Sequence, residues 1–183
     1  MWDAKMVADL ITAARGLLGF VMIWLGLTQG TAALPAVALL MLADWIGDFV
    51  DGSLAHRSRH PRRTWIGDSD LYIDLFVSLC LGVYLIAAGY VSLGFVGLYL
   101  AGWAFALWHF GLERNLLMLA QAPIYLYFII IALRIVPDAG KWLVIWLLIA
   151  TAINWRRFSR EIVPGFIGGM RSIWDSEERR RHS

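Results

Sequence analysis

Long apolar runs alternate with short polar or glycine-containing breaks along the whole chain. A helix that spans a bilayer needs about 20 mostly apolar residues, and six of the runs have that length. The pattern therefore predicts six transmembrane helices, at residues 9–28, 32–54, 68–89, 92–111, 115–136 and 140–159. Because every break is short, we expect consecutive helices to be antiparallel neighbours.

The composition indicates a membrane protein. Hydrophobic residues make up 60% of the 183 residues, whereas they make up about half of a soluble globular domain. Ten tryptophans and six tyrosines suit a chain that crosses the two membrane interfaces, where amphipathic rings are enriched. The single cysteine, Cys80, excludes an intrachain disulfide framework. The expected fold class is an all-α, polytopic membrane protein.

Basic residues are distributed unevenly between the two predicted ends of the helices. If both termini lie on one side, that side carries nearly all arginines, whereas the opposite side carries only Arg134 and Lys141. The positive-inside rule then places both termini in the cytoplasm. We expect residues 1–163 to form one transmembrane domain and residues 164–183 a polar cytoplasmic tail. Residues 1–8 are expected to begin as a short interfacial segment lying on the membrane surface.

Two pairs of aspartates stand at helical spacing, one near the end of the second predicted helix and one near the start of the third. Asp48 and Asp51 are three residues apart, and Asp70 and Asp74 are four residues apart. Such spacings put side chains on one face of a helix, so two antiparallel helices would bring all four carboxylates together. A charge at the centre of a spanning helix costs about 2.5–3.5 kcal/mol. A bound divalent cation is the simplest compensating partner, because hard cations prefer carboxylate oxygens.

Several acids and bases in this region have other interpretations. Asp68 and Ser69 are of the residue types that cap helices, and we leave both outside the site. Asp44 lies on the same helical face as Asp48, and it either supports the acidic site from behind or pairs with Arg15. The arginines of the HRSRHPRR loop are first of all topology determinants that touch anionic lipid.

The acidic stretch resembles the signature of the CDP-alcohol phosphotransferases, D-x2-D-G-x2-A-R-x8-G-x3-D-x3-D. The matching residues are Asp48, Asp51, Gly52, Ala55, Gly67, Asp70 and Asp74. Upstream, the segment DLITAAR at residues 9–15 resembles the N-L-I-T-x-x-R opening of these enzymes. The chain departs from the signature at His56, which stands where arginine is expected and is followed by Arg57. The spacings on the two sides of Gly67 also differ from the signature by one or two residues.

The resemblance implies an enzyme of phospholipid synthesis in the cell (inner) membrane, with its active site facing the cytoplasm. Such an enzyme moves a phosphatidyl or diether phospholipid group from a CDP-linked lipid to the hydroxyl of a small alcohol, such as glycerol 3-phosphate, and releases CMP. The resemblance also implies a homodimer. Nucleic acid is not an expected partner.

The resemblance assigns roles to particular residues. The implied metal ligands, which would hold two Mg²⁺ or Mn²⁺ ions, are Asp48, Asp51, Asp70 and Asp74. Asp74 would also be the general base that takes the proton of the acceptor hydroxyl. The residues that would line the CDP group are Thr12, Gly52, Ala55 and Arg57. Three arginines on the same predicted side are candidates for binding either the acceptor or a lipid headgroup: Arg114, Arg156 and Arg157.

Two other functions are compatible with the sequence. One is a membrane cation transporter that uses the aspartates, and the other is an inactive relative of the transferases that acts as a scaffold. A transporter is expected to carry acids near the middle of the bilayer, often on broken helices, whereas these acids gather at one end of the helices. The four intact acids argue against the scaffold, and His56 argues for it.

Overall fold

The structure of this chain is a computed structural model that describes the backbone of residues 4–57, 70–111 and 113–169. It describes side chains at residues 10–50, 72–111, 113–156, 158–160 and 163–169. Six long helices lie within these ranges: α1 (Ala4–Gln29), α2 (Leu34–Arg57), α3 (Asp70–Ala87), α4 (Leu93–Phe110), α5 (Arg114–Ile135) and α6 (Pro137–Ile153). The described part of the chain contains no strand, which confirms the predicted all-α class.

Three stretches of the described chain are long and apolar enough to cross a membrane: Leu10–Val50, Leu93–Phe110 and Arg114–Ile135. The first stretch contains most of α1 and α2. A continuous helix of its 41 residues would be about 60 Å long, roughly twice the thickness of the hydrocarbon core. The chain turns instead at Gly30, whose φ of +57° favours glycine, and a 3-10 turn over Gly30–Ala33 leads into α2. The apolar part of α3, Tyr72–Ala87, is shorter.

Helices α1, α2 and α3 form the centre of the fold, and small residues let α1 and α3 approach closely. A Cβ atom added to Gly19 would lie 2.9 Å from Sγ of Cys80, and one added to Gly26 would lie 3.1 Å from Cδ2 of Tyr84. These contacts advance together along both helices, so α1 and α3 are parallel. Fully buried apolar side chains around this contact include Met22, Leu34, Val37, Met41, Val77, Leu81, Phe128 and Leu143.

The two ends of this three-helix centre carry different residues. Arg15, early in α1, pairs with Asp48 late in α2 and with Asp74 early in α3, so α2 is antiparallel to the other two helices. We call this end of the bundle the Arg15 end. At the opposite end, the hydroxyl of Tyr90, which follows α3, donates to the carbonyl of Thr31 between α1 and α2 at 3.5 Å.

Helix α5 runs from the Arg15 end to the opposite end. The hydroxyl of Tyr125 donates to the carbonyl of Asp74 at 3.3 Å, and the hydroxyl of Tyr127 donates to the carbonyl of Tyr90 at 2.7 Å. The two tyrosines therefore reach toward opposite ends of α3. Arg114, the first residue of α5, consequently lies at the Arg15 end.

Helix α6 returns beside α5. A Cβ atom added to Gly140, early in α6, would lie 2.6 Å from the backbone nitrogen of Leu133 and 2.7 Å from the carbonyl carbon of Ala132, late in α5. Glycine at this position therefore permits backbone-to-backbone packing. The end of α6 and the following Arg156 return to the Arg15 end.

Helix α4 lies at the edge of the fold. None of its residues is buried, and its large apolar side chains, such as Phe95, Leu98 and Trp108, are exposed. Ser92 caps its start by accepting a hydrogen bond from the backbone N–H of Phe95 at 3.3 Å, as N-cap serines do. The hydroxyl of Tyr99 donates to the carbonyl of Ala120 on α5. The exposed face suits contact with lipid.

Helix extends beyond the first and last predicted spans at the two ends of the described chain. The described N-terminal part is one uninterrupted helix from Ala4 into the apolar run, so no break separates an interfacial segment from the predicted span at residue 9. After α6, the described chain remains helical through Trp155–Arg157, a π-helix at Phe158–Ile162 and residues 163–169. Helix therefore extends into the first part of the predicted tail, and residues 170–183 lie outside the described residues.

Candidate functional site

Arg15 is the centre of the candidate site. Its side chain is only 3% exposed, although it belongs to an apolar run that the sequence marks as membrane-spanning. Thr12, three residues earlier, is also buried, and this spacing places both residues on one face of α1. An arginine stays protonated in proteins, so a buried guanidinium requires anionic partners.

Three carboxylates surround the Arg15 guanidinium. Its Nε donates to Oδ1 of Asp44 at 3.0 Å, and its Nη1 donates to Oδ1 of Asp48 at 2.9 Å. Its Nη2 donates to Oδ1 of Asp74 on α3. The three nitrogens of one planar group thus bind acids from two helices, which uses the fork geometry that distinguishes arginine from lysine. The network ties α1, α2 and α3 together at one end.

The three acids differ in their exposure to solvent. The side chain of Asp44 is 2% exposed, that of Asp74 is 31% exposed and that of Asp48 is 45% exposed. The site therefore has a closed inner side at Asp44 and an open side at Asp48 and Asp74. With all three acids ionised, one arginine leaves the group with a formal charge of −2.

Neighbouring residues shape the space around the cluster. A Cβ atom added to Gly47 on α2 would lie 3.4 Å from Cδ of Arg15, so the absence of a side chain there lets the arginine stem pass close to α2. Tyr125 on α5 packs edge-on against Trp45, with ring centroids 5.8 Å apart. The hydroxyl of Tyr125 also holds the carbonyl of Asp74. Helices α2 and α5 thus support the cluster from two sides.

The structure brings together two of the four predicted metal ligands. Asp48 and Asp74 contact the same guanidinium, as expected for acids on facing sides of antiparallel helices. Asp51 and Asp70 belong to α2 and α3, but their side chains lie outside the described residues. Asp44 pairs with Arg15, which is one of the two roles that the sequence left open for it.

The other predicted site residues have the following positions. Thr12 is buried beside Arg15 on α1. Arg114 and Arg156 are exposed at the Arg15 end. The remaining residues lie in helical segments, with side chains outside the described set: Gly52, Ala55, Arg57 and Arg157.

Two residues of the site were not among the predicted site residues. Arg15 carries a signal in the sequence, because a lone arginine inside an apolar run needs a buried acid as its partner. Asp44 is the only acid for which the sequence suggested a pairing with Arg15. Tyr125 carries no such signal, since a tyrosine in an apolar helix is ordinary, and only the packing of α5 places it beside Asp74.

The donor set fits a hard divalent cation, although the cation itself stays a prediction. Two carboxylates from different helices bind neighbouring nitrogens of one guanidinium on the open side of the cluster, and carboxylate oxygens are the ligands that Mg²⁺ prefers. Among the residues with described side chains, no group of three or more His, Cys, Asp or Glu is placed to hold a metal ion. Further ligands would have to come from Asp51 and Asp70 or from a substrate phosphate.

Comparison of the chain with protein-family models, with curated proteins and with solved structures finds no match.

Proposed function

We propose that this chain is an integral-membrane CDP-alcohol phosphotransferase. It would transfer a phosphatidyl or diether phospholipid group from a CDP-linked lipid to the hydroxyl of a small polar alcohol and release CMP. The observation that carries the proposal is the meeting of Asp48 on α2 and Asp74 on α3 at one guanidinium. The signature that the sequence resembles requires acids on these two helices to converge.

The charge of the cluster supports the metal-binding part of the proposal. Three acids, Asp44, Asp48 and Asp74, share the single guanidinium of Arg15, and Asp48 and Asp74 lie on the open side. Asp48 and Asp74, with Asp51 and Asp70, would hold Mg²⁺ or Mn²⁺. Such ions supply positive charge that stabilises the oxygens of a transferring phosphoryl group.

Asp74 is the proposed general base. Its side chain is partly exposed, so an acceptor hydroxyl has access to it, and it stands on a regular helix whose carbonyl at this position is held by Tyr125. A base must lie within hydrogen-bond reach of the proton that it takes. Holding the backbone at Asp74 fixes the direction from which this carboxylate approaches the acceptor.

The distribution of arginines supports an anionic acceptor. Arg114 at the start of α5 and Arg156 after α6 are exposed at the Arg15 end, whereas Arg134 is exposed at the opposite end. We propose glycerol 3-phosphate as the acceptor, because its phosphate would pair with the arginines at the Arg15 end. We also propose six spans, and the same asymmetry supports placing the Arg15 end in the cytoplasm of a cell (inner) membrane.

The proposal includes a homodimer in the bilayer, as the resemblance implies. The exposed apolar face of α4 is available either to a second copy of the chain or to lipid.

The described interior favours a transferase over a cation transporter. Beyond the cluster, the fully buried residues of α1, α2 and α3 toward the opposite end are mainly apolar, for example Met22, Leu34, Val37 and Leu81. A transport path needs polar groups across the width of the membrane. In the described helices, the buried charged residues are Arg15 and Asp44, which lie at one end.

The experiment is a transfer assay with purified protein in detergent. Radiolabelled CDP-diacylglycerol is incubated with glycerol 3-phosphate, inositol phosphate or serine, with and without Mg²⁺, and the lipid products are separated. The proposal predicts a labelled product that requires both Mg²⁺ and one acceptor. Cation flux into liposomes without any labelled product would favour the transporter and contradict the proposal.

A further inference from the structure

Arg15 occupies the place where positive charge is required in the acidic site. Each of its three nitrogens binds a different carboxylate, and two of those carboxylates belong to predicted metal ligands, Asp48 and Asp74. We infer that Arg15 is the resident counter-ion of the site and competes with the divalent cation for Asp48 and Asp74. The inference rests on the proposed function, because it concerns the metal site of that function.

The different exposure of the three acids suggests that Arg15 could release two of them to a cation and stay bound to the third. Both members of the Arg15–Asp44 pair are buried, whereas Asp48 and Asp74 are partly exposed. A cation that arrives from solvent meets Asp48 and Asp74 first. Arg15 would release these two carboxylates and remain bound to Asp44 through Nε. Asp44 is therefore the anchor of Arg15 and not a ligand of the cation.

The chemistry of arginine makes the competition unavoidable. The guanidinium remains protonated, so Arg15 cannot withdraw its charge by losing a proton. While Nη1 and Nη2 donate to Oδ1 of Asp48 and Oδ1 of Asp74, those two oxygens are less available to a cation than they would be without Arg15. In exchange, Arg15 neutralises acids that would otherwise repel one another inside a spanning helix bundle when no cation is bound. The chain can thus insert and fold before it acquires metal.

The test measures cation affinity directly, without using catalysis. Binding of Mn²⁺ to the purified full-length chain in detergent is followed by electron paramagnetic resonance of the free ion. We compare the wild-type chain with Arg15→Gln and with the control Arg134→Gln, which removes the same charge from an exposed position at the opposite end. Competition predicts that Arg15→Gln binds Mn²⁺ about tenfold more tightly and that Arg134→Gln binds it as the wild-type chain does.

If Arg15→Gln binds Mn²⁺ as tightly as the wild-type chain or more weakly, the inference is overturned. Loss of an arginine that only supports the structure would give that result. Arg15→Lys keeps the charge but not the three-pronged geometry. Its affinity for Mn²⁺ should therefore lie between those of the wild-type chain and Arg15→Gln, about threefold above wild type. This variant decides the question if Arg15→Gln does not elute as a single species. An affinity of Arg15→Lys equal to or below wild type would then contradict the competition.

The outcomes also separate this inference from the proposed function. Mn²⁺ binding that tightens in Arg15→Gln, together with no CMP release by the wild-type chain, would support the counter-ion and contradict the transferase. Mn²⁺ binding and CMP release by the wild-type chain, with no tightening in Arg15→Gln, would contradict only the counter-ion. A wild-type chain that binds no Mn²⁺ would overturn both.

Discussion

Nε of Arg15 lies 3.0 Å from Oδ1 of Asp44, and both side chains are almost completely excluded from solvent. The pair joins α1 to α2 at the closed side of the site, and it is the most deeply buried of the contacts that Arg15 makes with the three acids. Its energetic role therefore differs from that of the Arg15–Asp48 pair, whose acid is nearly half exposed.

This difference gives a prediction about stability. Asp44→Ala should lower the free energy of unfolding by about 1–3 kcal/mol, because both groups of this pair are buried and water cannot replace the lost acceptor. Asp48→Ala should cost less than about 1 kcal/mol, as expected for a solvent-screened pair. Thermal unfolding in detergent, followed by tryptophan fluorescence, compares the two variants. An equal loss in both would show that burial does not decide the strength of these contacts.

A second prediction concerns the contact between α5 and α6. Gly140→Ala places a methyl group less than 3 Å from the backbone of α5, and the helices must separate to accept it. Overpacking of this kind costs about 1–3 kcal/mol, so the unfolding temperature should fall.

Gly97→Ala on α4 is the matched control for Gly140→Ala. A Cβ atom at Gly97 meets nothing within 4 Å, and alanine is a better helix former than glycine by roughly 0.5–1 kcal/mol. The unfolding temperature of this variant should stay constant or rise. A fall in Gly97→Ala as large as that in Gly140→Ala would contradict the described packing.

A third prediction concerns Tyr125. Tyr125→Phe removes the hydroxyl that holds the carbonyl of Asp74, and the proposed base should lose part of its alignment. We expect the turnover number to fall by roughly tenfold, with a smaller change in KM for the lipid donor.

Tyr127→Phe provides the comparison for Tyr125→Phe. It is the same change on the same helix, but its hydroxyl donates to Tyr90 at the end away from the cluster. Its turnover number should match that of the wild-type chain. Equal effects of the two variants would indicate that Tyr125 acts only through general stability.

Much of the fold follows from local patterns in the sequence. Apolar runs separated by short breaks predicted the approximate limits of the long helices in the described part of the chain. Spacings of three and four residues predicted that acids on α2 and α3 face the same region, and the contacts of Asp48 and Asp74 with Arg15 agree with this expectation.

The rest depends on contacts between residues that are far apart in the chain. Arg15 meets Asp74 across 59 residues, and Tyr125 meets the same residue across 51. No local period encodes such a meeting, because it depends on how closely α1 approaches α3 and on how α5 lies across them. The need for glycine at Gly19 and Gly26, where α1 approaches α3, is seen only once Cys80 and Tyr84 are placed opposite them.

The measurement that tests the central claim most directly is the release of CMP from CDP-diacylglycerol. It compares the wild-type chain with Asp74→Asn and with Asp138→Asn, an identical change at an exposed acid in the first turn of α6. Each protein is assayed with Mg²⁺ and after its removal by EDTA. We predict Mg²⁺-dependent release by the wild-type chain and by Asp138→Asn, and at least a hundredfold loss in Asp74→Asn, of the order that loss of an acid–base group causes. Release by Asp74→Asn at the wild-type rate, or release that persists in EDTA, would contradict the account.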